Sequence, residues 1–316
     1  MSSFLHSLGR IHITGGRGRL ASIVAAHLRS RGFQVELYSR TAGGGFKDLN
    51  LLIAGKAVAP QDTVLHLAWS SLPATSEQHP GGEEAEDLPL LERLLATVSV
   101  PGLGPKPHFV FFSSGGAVYG NAGTAPSREV DACFPVGSYG RAKLAAESII
   151  QRFQATGSCT CAILRISNPY GHPGNAARPQ GVINRAIACA LSGAEFVIWG
   201  DGGARKDYLY EDDFVAAVEG TVRHRLVGTY NLCMGKSHTV NEVIAAVEAS
   251  TGRRVTRRNT PAPAWDVQDS RLDGSLLERA SSWRPSVAFH EGVRRAVARF
   301  VAAATPTQAE LPCQPN

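Results

Sequence analysis

Thr14-Gly15-Gly16-Arg17-Gly18-Arg19-Leu20-Ala21 is the stretch that decides the fold of this chain. It follows a short run of strand character, Arg10-Ile11-His12-Ile13-Thr14, and opens a stretch of helical period from Gly18 to Arg31. Small residues at 15, 18 and 21 fall in the spacing G-x-x-G-x-x-A. Glycine allows a tight strand-to-helix turn and lets backbone N–H groups approach an anion, which then lies where the helix dipole favours negative charge. The turn therefore predicts a dinucleotide site, with Gly15, Gly16, Arg17, Gly18, Arg19 and Leu20 around the pyrophosphate.

Outward from the turn, strands and helices alternate. Strand character recurs at 34–38, 63–67, 108–113 and 160–166, and helical period at 83–98 and 138–156. This order predicts an α/β fold, a doubly wound parallel sheet of the Rossmann type. Beyond Ile166 the pattern is less regular, with helices at 180–192, 212–223, 239–251 and 291–303 separated by Pro- and Gly-bearing turns. We expect a dinucleotide-binding domain over 1–166, a smaller C-terminal α/β substrate lobe over 167–304 and a loose tail over 305–316.

Composition narrows the class of protein. A chain of 316 residues, 43% hydrophobic and 19% charged, is long enough to bury one large or two modest cores. It has no apolar run long enough to cross a bilayer, and its N-terminal residues lack the apolar core of a secretory signal, so a cytoplasmic protein is expected. The six cysteines are scattered, apart from Cys159 and Cys161, and read as reduced thiols. No histidines stand in metal-ligand spacing, so no metal is expected. The net charge of +5 comes mainly from dispersed arginines without an aromatic-interleaved basic stripe, which suits a phosphate-bearing small molecule and not nucleic acid.

The second strand ends at Ser39-Arg40, where an enzyme selective for NAD would offer an acid to the ribose 2′-hydroxyl. A hydroxyl beside a guanidinium suits a 2′-phosphate instead, and Arg17 adds a second positive charge. These residues predict NADP, with NAD as the alternative. Further on, Ser138-Tyr139-Gly140-Arg141-Ala142-Lys143 opens a helix after a long loop, which puts Tyr139 and Lys143 on one face. An ammonium close to a phenol stabilises phenolate, lowering the phenol's pKa and making Tyr139 a general acid or base.

With TGGRGRLA at 14–21, HLAWSSLPATS at 66–76, FFSSGGAVYG at 111–120, YGRAK at 139–143, LRISNPYG at 164–171 and WGDGGARKDYLYEDD at 199–213, the chain resembles the extended short-chain dehydrogenase/reductase family. The resemblance is to its nucleotide-sugar epimerase, dehydratase and ketoreductase branch. It implies that Tyr139 exchanges the proton of a sugar hydroxyl while hydride moves between the same carbon and the nicotinamide, and that Lys143 orients the cofactor ribose. It implies further that Leu67 and Ala68 line the cofactor, that Asp48 and Leu49 approach the adenine, and that Asn168 begins the substrate lobe. The family's third catalytic hydroxyl falls on Gly115, which leaves Ser114 as its nearest replacement. The substrate diphosphate falls to Arg205 and Lys206, with Arg258 as a second contact. Asp87 stands where the branch carries an Asn. A homodimer through two helices is common in such proteins.

Two reactions follow from these residues. Ser39-Arg40 favours an NADPH-dependent reductase of a 4-keto nucleotide sugar, in which Tyr139 protonates the carbonyl oxygen. The alternative is a nucleotide-hexose 4-epimerase that holds NAD tightly. A third reading, a catalytically silent NADP-binding sensor, draws on Gly115 and is opposed by the retention of Tyr139 and Lys143.

Overall fold

The computed structural model describes residues 9–54, 58–99, 104–123, 125–173 and 180–304. Strand β1 (Ile11–Thr14) is buried along its whole length and leads through the glycine turn into helix α1 (Arg19–Ser30), whose apolar stripe, Ala21, Val24, Ala25 and Leu28, faces the sheet. Strands β2 (Val35–Ser39), β3 (Lys47–Asp48), β4 (Thr63–His66), β5 (His108–Ser114), β6 (Thr160–Ile166) and β10 (Gly228–Leu232) complete a seven-stranded sheet in the order β10-β6-β5-β4-β1-β2-β3. Every pairing in it is parallel. The near-continuous apolar run Phe109–Phe112 in β5 is the signature of a strand covered on both faces.

Helices cover both faces. On one side α1 packs with α8 (Glu211–His224) and α10 (Ser275–Ser281). On the other lie α2 (Leu49–Ile53), α4 (Gly82–Val98) and α6 (Ser138–Ala155), whose Leu91, Leu94, Leu95, Ala146, Ile149 and Ile150 meet Phe109, Phe111 and Ile163 of the sheet. Strand order reverses at β1, so the crevice between the C-terminal ends of β1 and β4 is the topological switch point, where α/β sheets bind ligands.

The smaller lobe has its own apolar core. It is built from α7 (Val182–Ser192), α9 (Val240–Thr251) and α11 (Phe289–Ala304), with strand β7 (Asn168–Tyr170), the pair β8 (Phe196–Trp199) and β12 (Arg257–Thr260), and β9 (Arg205–Tyr210) joined to β11 (Ser237–Thr239). A capping box, Thr239 with Glu242, starts α9. The two units are not divided cleanly at residue 166, as the sequence reading expects. The chain returns from the lobe to add α8 and β10 to the large sheet, because β10 needs the free edge of β6 and α8 an apolar face beside α1. Residues 305–316, expected as a tail, lie outside the described residues. No helix is long and apolar enough to cross a membrane among the described residues.

The arginines Arg253, Arg254, Arg257 and Arg258 of the lobe are partly paired, with Arg254 and Arg257 sharing Glu248 and Arg258 on Glu195. Cys159 and Cys161 are buried free thiols with their sulfurs 3.4 Å apart, and Cys313 lies outside the described residues.

Candidate active site

The glycine turn is built on close approach. Gly15 has φ +69°, and a Cβ there would stand 2.7 Å from the Ala68 nitrogen. Thr14 Oγ1 hydrogen-bonds His66 Nδ1 at 2.7 Å and accepts from the Ala68 N–H at 3.2 Å. The C-terminal ends of β1 and β4 are thus locked together and Leu67-Ala68 is pressed against the turn. A cleft of about 630 Å³ opens there, lined by Gly15, Arg17, Gly18, Ser39, Arg40, Thr41, Leu49, Asn50, Leu67, Ala68, Trp69, Ser70, Asp87 and Leu90 among others. At its floor the first-turn N–H groups of α1, capped by Gly18, lack intrahelical acceptors.

Four predicted cofactor residues put no side chain into the cleft, although the N–H groups of Arg19 and Leu20 belong to the first turn of α1. Gly16 lies beneath the turn and donates to the Tyr38 carbonyl at 2.9 Å, while Leu20 packs against the core. Arg19 turns away and donates to the Pro169 carbonyl at 3.1 Å. Asp48 caps α2 by accepting from Asn50 N–H at 2.8 Å, so Leu49 and Asn50, not the carboxylate, face the cleft.

At the end of β2 the positive charge predicted from sequence is organised. Arg17 Nε donates to Ser39 Oγ at 3.3 Å and its Nη2 to the Thr41 carbonyl at 3.2 Å, and the guanidinium lies 4.5 Å from the Phe46 ring centroid. Arg40 is exposed, and among the described residues Glu86, 3.5 Å away, is its one ion-pair partner. Among the described residues no carboxylate hydrogen-bonds the Ser39 hydroxyl.

Helix α6 delivers Tyr139 and Lys143. Its N-terminus is pinned by Glu77, which accepts from the Ser138 N–H, and Gly140 packs so tightly on the short helix Gly115–Val118 that a Cβ would stand 2.6 Å from the Ala117 carbonyl oxygen. Lys143 is buried; its Nζ donates to the Phe112 carbonyl at 3.0 Å and lies 3.7 Å from the Trp69 ring centroid and 5.7 Å from that of Tyr139. Burial lowers the Lys143 pKa to about 7, against the opposing pull of Asp87, Glu147 and Glu83. The Tyr139 phenol is pushed up, by burial first and then by Glu83 and Asp87. The expected lowering of Tyr139 by its neighbour is therefore reversed. The ammonium is itself desolvated, and two carboxylates of α4 bear on the phenol.

Those carboxylates are held in place. Asp87 accepts from the backbone and hydroxyl of Ser70, and burial pushes it up. For Glu83 burial acts upward as well, but the hydrogen bond from Ser71 and the neighbouring Ser76 hydroxyl outweigh it and hold the carboxyl low.

Three positions compete for the catalytic hydroxyl. Ser113 is spent on Glu147, which also pairs with Arg165 at 2.7 Å in a buried network. Gly115 has no room for a side chain, since a Cβ there would lie 2.5 Å from Leu272 Cδ1 and 3.0 Å from the Arg165 carbonyl oxygen. Ser114, half-buried at the end of β5, is left with its hydroxyl unengaged among the described residues.

On the lobe side, Asn168 Nδ2 donates to the Asp207 carbonyl at 2.9 Å and so joins β7 to β9. Lys206 pairs with Asp266 at 3.0 Å, and Arg258 pairs with Glu195 on the β8–β12 ribbon. Arg205 is exposed and makes no ion pair among the described residues. Of the three predicted diphosphate contacts, only Arg205 has an uncommitted charge. Trp69, Ser70, Thr41 and Leu90 line the cleft without having been picked out from sequence. For Trp69, Ser70 and Thr41 the signal was position just past the ends of β4 and β2; Leu90 lies within α4.

The sequence profile described as the NAD dependent epimerase/dehydratase family matches residues 11–233. A putative UDP-glucose 4-epimerase of Methanocaldococcus jannaschii is 31% identical over 192 residues, 60% of this chain and 61% of that protein, so the alignment spans less than two thirds of that relative. The crystal structure of UDP-glucose 4-epimerase from Thermotoga maritima with UDP-glucose superposes with a TM-score of 0.83 at 26% identity, covering 93% of this chain and 99% of that one. UDP-glucose 4-epimerase of Thermus thermophilus in complex with NAD gives 0.83 at 26% identity, covering 93% and 100%.

Proposed function

The chain belongs to the NAD dependent epimerase/dehydratase family, and from this premise we propose that it interconverts nucleotide-linked hexoses that differ in configuration at C4. It is an enzyme of the short-chain dehydrogenase/reductase type. The observation that carries the proposal is the placement of Tyr139 and Lys143 one turn apart on α6, behind the inner end of a glycine-floored cleft.

The cleft fits a dinucleotide. Gly15 leaves backbone where a Cβ would fill the cradle, the first turn of α1 supplies N–H groups, and Arg17, Ser39, Arg40 and Leu49 surround the adenosine end. When bound, the nicotinamide supplies or receives the hydride. Tyr139 Oη exchanges a proton with the C4 oxygen, Ser114 Oγ holds that oxygen, and Lys143 Nζ orients the ribose. Asn168 and Arg205 hold the nucleotide diphosphate from the lobe side, with Lys206 and Arg258 as further contacts only if their ion pairs open.

A second reading rests on one observation. Arg17 is tethered to Ser39 beside Arg40, with no carboxylate on the Ser39 hydroxyl among the described residues, an arrangement suited to a 2′-phosphate. This favours NADP, and with it net reduction of a 4-keto nucleotide sugar. The names of the relatives favour the epimerase. Incubation with UDP-glucose and no added reductant separates the two, since only the epimerase yields a second hexose isomer.

A further inference from the structure

Trp69 follows Leu67-Ala68 at the end of β4, and none of the roles above uses it. Its indole lines the cleft and lies against the Lys143 ammonium. The ammonium lies 3.7 Å from the centroid of the indole and 4.7 Å from that of Phe111. Apart from these faces, Nζ has one hydrogen-bond acceptor, the Phe112 carbonyl, and no carboxylate within ion-pair distance among the described residues. The charged and titratable groups facing it are Glu83 and Asp87 from α4, Glu147 from its own helix and His66 from β4. A buried ammonium so sparsely bonded depends on the π faces around it, and indole is the strongest of these.

The indole's edge points to the same role. Its Nε1–H is buried without an acceptor among the described residues, so no hydrogen bond from them fixes the ring. Its orientation is set by its face on Lys143 and its edge-to-face contact with Phe111, at 5.9 Å and 61°.

We propose that Trp69 is a positioning residue: its indole face fixes the Lys143 ammonium at the inner end of the cleft and, through it, the ribose on the nicotinamide side of the cofactor. This rests on reading the cleft as the dinucleotide site. Because Trp69 acts through Lys143, its effect must vanish when Lys143 is gone, which a purely structural wall would not show.

The test is a double-mutant cycle on the dissociation constants of NADPH and NADH, read by fluorescence titration. The proteins are the full chain and its Trp69→Phe, Trp69→Leu, Lys143→Met and Trp69→Leu/Lys143→Met variants. We expect Trp69→Leu to weaken the tighter dinucleotide about tenfold, Trp69→Phe to restore affinity to within about threefold of the full chain, and Trp69→Leu to add nothing once Lys143 is methionine. If Trp69→Leu does not fold, Trp69→Met carries the same comparison. Equal losses with and without Lys143, an unchanged affinity in Trp69→Leu, or a phenylalanine variant as weak as the leucine variant overturns the proposal. If the full chain itself binds neither dinucleotide, the cofactor reading falls first, and the proposal with it.

Discussion

Lys143 Nζ lies 5.7 Å from the ring centroid of Tyr139, one helical turn away on α6, and both groups are pulled toward their neutral forms. The phenol is thus a strongly held proton store, and the amine titrates near neutrality. Tyr139→Phe removes the proton and leaves the ring. We expect it to lower turnover by about a hundredfold to ten-thousandfold while NADPH and NADH affinities stay within about twofold. Lys143→Met is expected to lower both turnover and dinucleotide affinity. Steady-state kinetics with parallel fluorescence titration checks both.

We propose Ser114 for the third hydroxyl, because Ser113 is committed to Glu147 and Gly115 faces Leu272. Ser114→Ala should reduce turnover about tenfold to a hundredfold, the cost of one hydrogen bond to a reacting oxygen, with little change in thermal stability. Restoring the family's hydroxyl by Gly115→Ser should instead destabilise the fold by about 1–3 kcal/mol, since the new Cβ meets Leu272 Cδ1. Urea unfolding distinguishes the two effects.

Arg17 and Arg40 line the cleft at the end of β2, and the NADP reading assigns them the 2′-phosphate. Replacing either by Ala should weaken NADPH about tenfold and NADH by less than about twofold, the difference being one charge-assisted contact to a 2′-phosphate. Equal losses for the two dinucleotides place both arginines outside the 2′ site.

Acid should unfold this protein early. Burial holds His66 and His108 down at about 3, from an ordinary value of 6.5, with Lys143 adding to the effect at His66 and Arg225 at His108. Below 6.5 the unfolded chain takes up protons that the folded chain refuses, so stability falls as pH falls. Each ring contributes up to about 1.4 kcal/mol per pH unit across the window down to about 3. Urea midpoints measured at pH 7.5, 6 and 5 should decline, and His108→Gln should flatten the decline.

What the sequence could disclose was what lies close together along the chain. The glycine turn, the Ser39-Arg40 strand end and the Tyr139–Lys143 helix face are each local patterns, and the alternation of period through residue 166 gave the parallel sheet. What stayed hidden depends on residues brought together by folding. Lys206 reads as a free cation until Asp266 is placed against it, and Arg258 until β12 is laid beside β8 and Glu195. The crowding at Gly115 comes from Leu272, far along the chain. The lowering of Lys143 comes from burial under Trp69, which spacing does not encode. Strand β12, Arg-Arg-Asn-Thr, has no apolar alternation at all, and it forms because β8 offers an edge.

The most direct test of the account uses UDP-hexose deuterated at C4, incubated with the full chain and no added reductant, with the products resolved by mass spectrometry and NMR. If Tyr139 works beside a cofactor that takes the C4 hydride and returns it within one turnover, the C4 epimer forms with the deuterium still on C4. An epimer lacking that deuterium, or no epimer from a preparation that binds dinucleotide and UDP-hexose, contradicts it.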